Sequence, residues 1–315
     1  MSVDSCRTFL ERTQSDANFG KLLRAVTDPR EMVALGRRHG YSFDLQDIAV
    51  ASATLSPDED APPPVAEQSP GPDGDGETKF CHYEFDLTGV AGMEPILAEL
   101  PSLTVKPAGV DLEAYRASFR EDDLRWTSMS PAEPVFKRRY EEIMADDARQ
   151  EHGRRAFHLV NLDQYVDDPL YEGYFDAKMR LLGHLEQLFG PEVRFSGSMW
   201  YPPFAYRLWH TNETQPGWRM YLLDFDEEID PSDNRSFFRY MNPQTTEIVT
   251  LQDRPRMLRF FKVEQAEDRL FWHCIVNGAE RNRWAFGFVV PDDWQSRLPA
   301  EAAHALSGAS HSITS

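Results

Sequence analysis

The sequence predicts a mainly β fold of the α+β class: a jelly-roll-like antiparallel barrel buttressed by helices, with a small helical domain ahead of it. Three observations predict this. From Phe157 onward, short apolar and aromatic runs of strand length follow one another, separated by Pro, Gly, Asn and Asp. Helical segments stand before those runs, where they can buttress a barrel. The first fifty residues carry apolar side chains at helical spacing and are followed by a stretch rich in Pro, Gly and acids.

Residues 1–50 read as the helical domain. Phe9, Leu10, Phe19, Leu22, Leu23 and Val26 form one apolar face. Asp28 caps a second helix with Pro29 at its first position, Met32, Val33 and Leu35 continue it, and Gly40 stops it. Tyr41, Phe43, Leu45 and Ile48 then return toward the pair, with Asp44 placed to cap a short third helix. This run, FLERTQSDANFGKLLRAVTDPREMVALGRRHGYSFDLQDI, resembles the Nif11-type leader domain. The resemblance lies in the aromatic-led first helix, the Asp-Pro start of the second and the Gly-aromatic turn. Such domains usually lead ribosomally made precursor peptides and are read by modifying enzymes. Here no double-glycine cleavage site follows, and a large domain stands where a short core peptide would.

Residues 51–78 read as a flexible acidic linker. They contain Pro62-Pro63-Pro64, Pro70, Gly71, Pro72, Gly74 and Gly76 among Asp and Glu, and no Lys or Arg occurs between Arg38 and Lys79. Such a segment cannot bury enough apolar surface to offset its ordering entropy.

Residues 79–300 form the large domain. Phe80 to Leu87 reads as a strand, and helices are expected through Ile96, Leu97 and Leu100, over Phe136 to Ala148, and from Asp176 to Phe189. The strand runs are FHLVNL, VRFSGSMWY, RMYLLDF, SFFRYM, EIVTL, MLRFFKV, RLFWHCIV and RWAFGFVV, with Asn242-Pro243 as a hairpin turn. Residues 301–315 read as a loose Ala- and Ser-rich tail.

Composition narrows the function. The 315 residues are 41% hydrophobic and 12% aromatic, in the range of a globular protein. The net charge of −19 repels phosphate backbones and anionic lipid, so neither nucleic acid nor a membrane is an expected partner. No apolar run approaches the roughly 20 residues that span a bilayer. The three widely spaced cysteines point to a reducing cytoplasm rather than a disulfide framework.

Two of the nine histidines occupy informative places: His210 after WYPPFAYRLW, and His273 within RLFWHCIV. Arg283 follows His273 by ten residues. A strand ending in a metal-binding His and an adjacent strand starting with Arg would place both side chains in one cavity. The fixed guanidinium fork there suits a carboxylate. His210 and Arg219, nine residues apart in HTNETQPGWRMYL, make a second such spacing.

These paired spacings resemble the Fe(II)/2-oxoglutarate-dependent oxygenase superfamily, and more narrowly its aspartyl/asparaginyl β-hydroxylase group. The resemblance covers the strand-rich C-terminal half and implies a double-stranded β-helix. It implies Fe(II) on His210 and His273, 2-oxoglutarate held by Arg283, and Arg219 near the 1-carboxylate or a substrate carboxylate. Ser198 and Tyr201 are further candidates to contact the cosubstrate. The sequence departs from the superfamily at Asn212, where most members carry Asp or Glu. Three readings stay open: a two-histidine site with water filling the gap, ligation by Asn212 or Glu213, or an open position that accepts halide as in halogenases.

The implied activity is hydroxylation of a peptide or amino-acid substrate, with the Nif11-like head recruiting leader peptides in ribosomal peptide maturation. The alternatives are halogenation, or a degenerate barrel serving as a peptide-binding module. A chain that carries its own leader for modification is a further one. Trp209 and Trp218 are candidate substrate walls, with barrel packing as their ordinary alternative. His158 and His184 read as structural.

Overall fold

The computed structural model describes residues 2–55, 81–88, 90, 92–147, 155–227, 230 and 233–298. The expected tail and all but the first five residues of the expected linker lie outside them. The chain divides into two units, 1–80 and 81–315.

The first unit contains α1 (Val3–Ser15), α2 (Ala17–Ala25), α3 (Pro29–Arg38) and α4 (Leu45–Leu55). The expected first helix is broken in two because Asp16 leaves helical geometry and caps α2. Its Oδ1 accepts from the N–H groups of Asn18 and Phe19 at 3.0 and 3.2 Å. Asp28 accepts from the Arg30 N–H at 2.9 Å, with Pro29 at the first turn of α3 as expected. Gly40, at φ +82°, ends that helix. Asp44 accepts from the Gln46 and Asp47 N–H groups and starts α4, which runs on to Leu55 rather than stopping at 50. The core is aromatic: Phe9 lies 5.3 Å from Phe19 and 5.2 Å from Phe43, all three buried. Leu45 does not join it and is half exposed.

Among the described residues the second unit is built on eleven strands. In chain order they are β1 (His82–Asp86), β2 (Phe157–His158), β3 (Val160–Asn161), β4 (Arg194–Tyr201), β5 (Ala205–His210), β6 (Gly217–Phe225), β7 (Ser236–Met241), β8 (Ile248–Gln252), β9 (Met257–Val263), β10 (His273–Asn277) and β11 (Arg283–Val290). They form a six-stranded sheet in the order β1-β9-β6-β11-β4-β3 and a five-stranded sheet in the order β2-β5-β10-β7-β8. Every pairing is antiparallel. From β4 to β11 the chain alternates between sheets: β4, β6, β9 and β11 in one, β5, β7, β8 and β10 in the other. That order defines a double-stranded β-helix, the jelly roll expected from the sequence.

Period-two alternation decides which side chains enter the barrel. Leu223, Phe238, Phe261, Ile275 and Ala285 face inward and pack with Tyr201, Tyr240 and Phe271. The intervening residues pack outward. Phe260 meets Phe189 of α9 (Tyr171–Phe189) at 6.1 Å and stacks on Trp294 at 3.8 Å. On the other sheet, Trp209 packs at 6.5 Å against Phe136 of α8 (Pro134–Asp147), which stacks on Trp126. Trp209 and Trp218 are therefore packing residues, the latter 5.5 Å from Trp294. Two short helices, α6 (Leu112–Ala117) and α7 (Glu121–Trp126), were not evident in the sequence. The β7–β8 turn forms at Asn242-Pro243, where Asn242 Oδ1 accepts from the Gln244 N–H at 2.9 Å. Cys6, Cys81 and Cys274 are free thiols. Among the described residues no helix is long and apolar enough to cross a membrane.

Candidate active site

His210 ends β5 and His273 begins β10, and the two residues are paired directly in the ladder. Their ring centroids lie 3.9 Å apart. Directly paired side chains share a face, and the register shift between His273 and Ile275, a bulge on β5, puts His210 on the same face as Arg207 three residues before it. Each ring is anchored through its first nitrogen. His210 Nδ1 lies 2.7 Å from the Leu208 carbonyl, and His273 Nδ1 lies 2.9 Å from the Phe271 carbonyl. A carbonyl can only accept, so both Nδ1 atoms carry the proton and both Nε2 atoms present lone pairs. His210 Nε2 is buried with no partner.

Electrostatics keep this pair neutral. Burial, then Arg207 and His273, hold the His210 ring well below the ordinary imidazole range. Burial pushes His273 down to about 3, opposed by its Phe271 hydrogen bond. Phe238, Phe261 and Phe271 surround His273 at 5.2–5.6 Å and exclude water. Two neutral imidazoles 3.9 Å apart, with anchored Nδ1–H groups and Nε2 lone pairs left to donate, are the type of ligand a divalent transition metal takes.

Asn212 stands beside them at φ +60°. Its Oδ1 accepts from Arg207 Nη2 at 3.0 Å, which turns its Nδ2 toward His273 Nε2 at 3.4 Å. In that orientation the amide offers the histidines a donor. Glu213 is exposed in the β5–β6 loop. Among the described residues no three His, Cys, Asp or Glu side chains come together, so the cluster is a pair of imidazoles.

Behind His273 lies an internal cavity lined by Tyr201, Arg207, Tyr221, Phe238, Arg259 and Arg283, among others, and by no carboxylate. The sequence expectation for Arg283 needs one correction of geometry. His273 begins its strand rather than ending it, and β10 and β11 belong to different sheets. The imidazole and the guanidinium therefore share the cavity from opposite walls, as the return loop between sheets dictates. Arg283 is paired in register with Tyr201, whose ring lies 4.6 Å from the guanidinium carbon. Arg219 is buried on the inward face of β6, donates to the Gln215 carbonyl, and adds to the positive field at His273.

Ser198 is a second correction. Gly197 and Met199 line the cavity, so alternation sends Ser198 to the opposite face of β4, where its hydroxyl is buried without a partner.

Sequence reasoning missed Asp253, Arg259 and Tyr221. Asp253 is buried on the β8–β9 turn; its Oδ2 accepts from Arg283 Nε and its Oδ1 from Arg259 Nη1, each at 2.8 Å. Burial alone would raise the Asp253 carboxyl, but Arg283 and Arg259 outweigh it and hold it below the ordinary range. A guanidinium inside the apolar run MLRFFKV was the available signal for Arg259. The cavity measures about 30 Å3, room for about two waters, so a dicarboxylate enters only as wall side chains move. Met199, unbranched and adaptable, is the wall residue best suited to yield.

The fold is thus a double-stranded β-helix in which two paired histidines stand at an arginine-lined cavity. A family model described as the Nif11 domain matches residues 1–48. No curated protein matches the chain. Among solved structures, a Pseudomonas putida prolyl-4-hydroxylase is 11% identical, with 65% of this chain and 100% of that chain covered and a TM-score of 0.26. A Trichoplax adhaerens prolyl hydroxylase, solved with a hypoxia inducible factor peptide fragment, is 9% identical over 69% and 86%, with a TM-score of 0.35. A Burkholderia pseudomallei oxidoreductase of the 2OG-Fe(II) oxygenase family is 14% identical over 59% and 94%, with a TM-score of 0.26. These scores are low, and the fold assignment rests on the strand order described above.

Proposed function

We propose that the chain is an Fe(II)/2-oxoglutarate-dependent oxygenase that hydroxylates a peptide side chain. One observation carries the reading. Two neutral imidazoles lie 3.9 Å apart with both Nδ1–H groups on backbone carbonyls, and His273 lines a cavity whose charged lining is wholly arginine. Arg283 and Arg259 share Asp253, yet each keeps a buried Nη nitrogen with no acceptor, and a carboxylate entering the cavity would supply one. In this reading His210 and His273 hold the metal, Arg283 takes the distal carboxylate of 2-oxoglutarate, and Tyr201 supports that arginine. Arg219 adds positive charge on the metal side of the cavity. Bound there, Fe(II) and 2-oxoglutarate supply the activation of dioxygen, while the protein positions the substrate and keeps water out.

The Nif11 unit supports a place in ribosomal peptide maturation. A leader peptide held by the head of the same chain is presented to the barrel at raised local concentration. A reducing cytoplasm suits the three free thiols. The test is anaerobic addition of Fe(II) and 2-oxoglutarate, which should give a visible charge-transfer band only when both are present. Admission of oxygen with a Nif11-led peptide should then yield succinate and a peptide heavier by one oxygen. Absence of the band at saturating metal and 2-oxo acid would remove this reading. Halogenation is the second reading. It is favoured by the position beside the histidines, where Asn212 stands and no carboxylate is gathered among the described residues.

A further inference from the structure

Two guanidiniums, not one, held on the same aspartate, line the cavity. Arg283 on β11 and Arg259 on β9 both line it. Each grips one oxygen of Asp253, at 2.8 Å in both cases. Asp253 is fixed in turn by the Ser236 hydroxyl, which donates to its Oδ2 at 3.1 Å. Arg259 is pinned from behind by Glu84, whose Oε1 accepts from Arg259 Nε at 2.6 Å. Each guanidinium also rests near an aromatic ring of the cavity wall, Arg259 at 4.9 Å from Phe238 and Arg283 at 4.6 Å from Tyr201.

With these partners accounted for, each arginine keeps one buried nitrogen that has none: Nη2 of Arg259 and Nη1 of Arg283. A buried N–H without an acceptor costs stability. The two carboxylates that hold these arginines, Glu84 and Asp253, line a separate outer cleft and not the cavity. The cavity therefore offers two guanidiniums from two strands and no carboxylate of its own. An incoming carboxylate has about four lone-pair positions on two oxygens, enough to take a bond from each arginine.

We propose that Arg259 is a second anchor for the distal carboxylate of the 2-oxo acid, clamping it jointly with Arg283, and that the clamp selects a dicarboxylate of one length. The proposal rests on the oxygenase reading above and deepens it. A single arginine on a mobile stem tolerates ligands of different reach. Two guanidiniums held on one aspartate fix where the carboxylate must sit, so a chain longer by one methylene is misplaced.

Calorimetric titration of the full-length, Mn(II)-loaded protein tests it, using 2-oxoglutarate, 2-oxobutyrate (no distal carboxylate) and 2-oxoadipate (one methylene longer). Arg259→Gln should weaken 2-oxoglutarate binding by about tenfold or more, and 2-oxobutyrate binding by less than about twofold. Arg259→Lys keeps the charge and loses the fork, so it should fall between and bind 2-oxoadipate relatively better than the parent does. Removing Arg259 leaves Glu84 and Asp253 short of a partner, so the double variant Glu84→Gln/Arg259→Gln accompanies it. Thermal melting shows which variants fold, and Arg259→Lys alone suffices to decide. Equal loss of 2-oxoglutarate and 2-oxobutyrate would mark Arg259 as merely structural and overturn the clamp. So would parental 2-oxoglutarate affinity in every Arg259 variant while Arg283→Gln loses it; that outcome leaves the oxygenase reading standing. No 2-oxoglutarate binding by the parent protein would instead sink the reading and the clamp together.

Discussion

Arg207 Nη2 donates to Asn212 Oδ1 across 3.0 Å, and that bond decides which end of the amide faces the histidines. With its oxygen engaged, Asn212 offers Nδ2 to His273 Nε2 at 3.4 Å. A carboxylate has no such donor end. In Asn212→Asp one oxygen would keep Arg207 and the other would face the imidazole lone pairs, completing a two-histidine, one-carboxylate set. The variant should therefore bind Fe(II) or Co(II) about tenfold tighter or more, with a changed Co(II) visible spectrum. Unchanged affinity and spectrum would show that position 212 lies outside the metal's reach.

The two histidines should be individually indispensable. Each Nδ1–H is spent on a backbone carbonyl, so neither ring can turn to replace the other. His210→Gln and His273→Gln are each expected to weaken metal binding by about a hundredfold or more, against the ten- to hundredfold typical of outer-shell losses. Anaerobic titration reads the affinity, and circular dichroism verifies that the barrel persists. A variant that retains parental affinity would remove its histidine from the metal site.

The barrel was legible because its strands are punctuated. Apolar runs between Pro, Gly and Asn turns marked seven of the eight barrel strands. The eighth, β5, was legible as the strand that carries Tyr206 and Arg207 up to His210, though Arg207 interrupts its apolar run. The histidine pair and Arg283 were legible through spacing. Asp253 was not, because a carboxylate in LQDRPR looks like an ordinary turn residue, and only the fold brings Arg259 and Arg283 to it. The face that Ser198 takes on β4 was not legible, because it depends on register, which one sequence does not state. The helices α6 and α7 are too short for an apolar period to show.

Gly287 makes room for the cavity wall. A Cβ there would stand 2.9 Å from the Tyr221 ring and 2.8 Å from Ser196 Oγ. Tyr221 cannot simply slide away, since it stacks on Phe261 at 5.5 Å. Gly287→Ala should destabilise the barrel by about 1–3 kcal/mol, as overpacked sites do. It should also push the Tyr221 ring into the cavity, weakening 2-oxo acid binding. Thermal melting and ligand titration check the two effects, and an alanine variant matching the parent in both would contradict the contact.

His158 gives a pH signature independent of His210 and His273. Its ring is stacked on Tyr115 at 4.0 Å, lies 5.0 Å from Tyr206, and is 6% exposed. The Ser118 hydroxyl donates to the Tyr115 carbonyl, so it accepts from His158 Nδ1 at 3.4 Å, and Nε2 is buried with no partner. Burial lowers this histidine to about 4. Unfolded, it returns to its ordinary value of about 6.5. Between these values the unfolded chain takes up a proton that the folded chain refuses. The stability is thus fully present above about pH 6.5 and declines as pH falls toward 4, by about 3 kcal/mol in all at roughly 1.4 kcal/mol per unit. His82, lowered to about 4 mainly by burial, adds a loss of the same sign. His158→Phe keeps the ring between its neighbours and removes the titration. Urea unfolding at pH 7.5, 6 and 5 should therefore show the variant losing less stability with acid than the parent, the gap widening as pH falls. If the two curves fall in parallel, the refused proton belongs to another group.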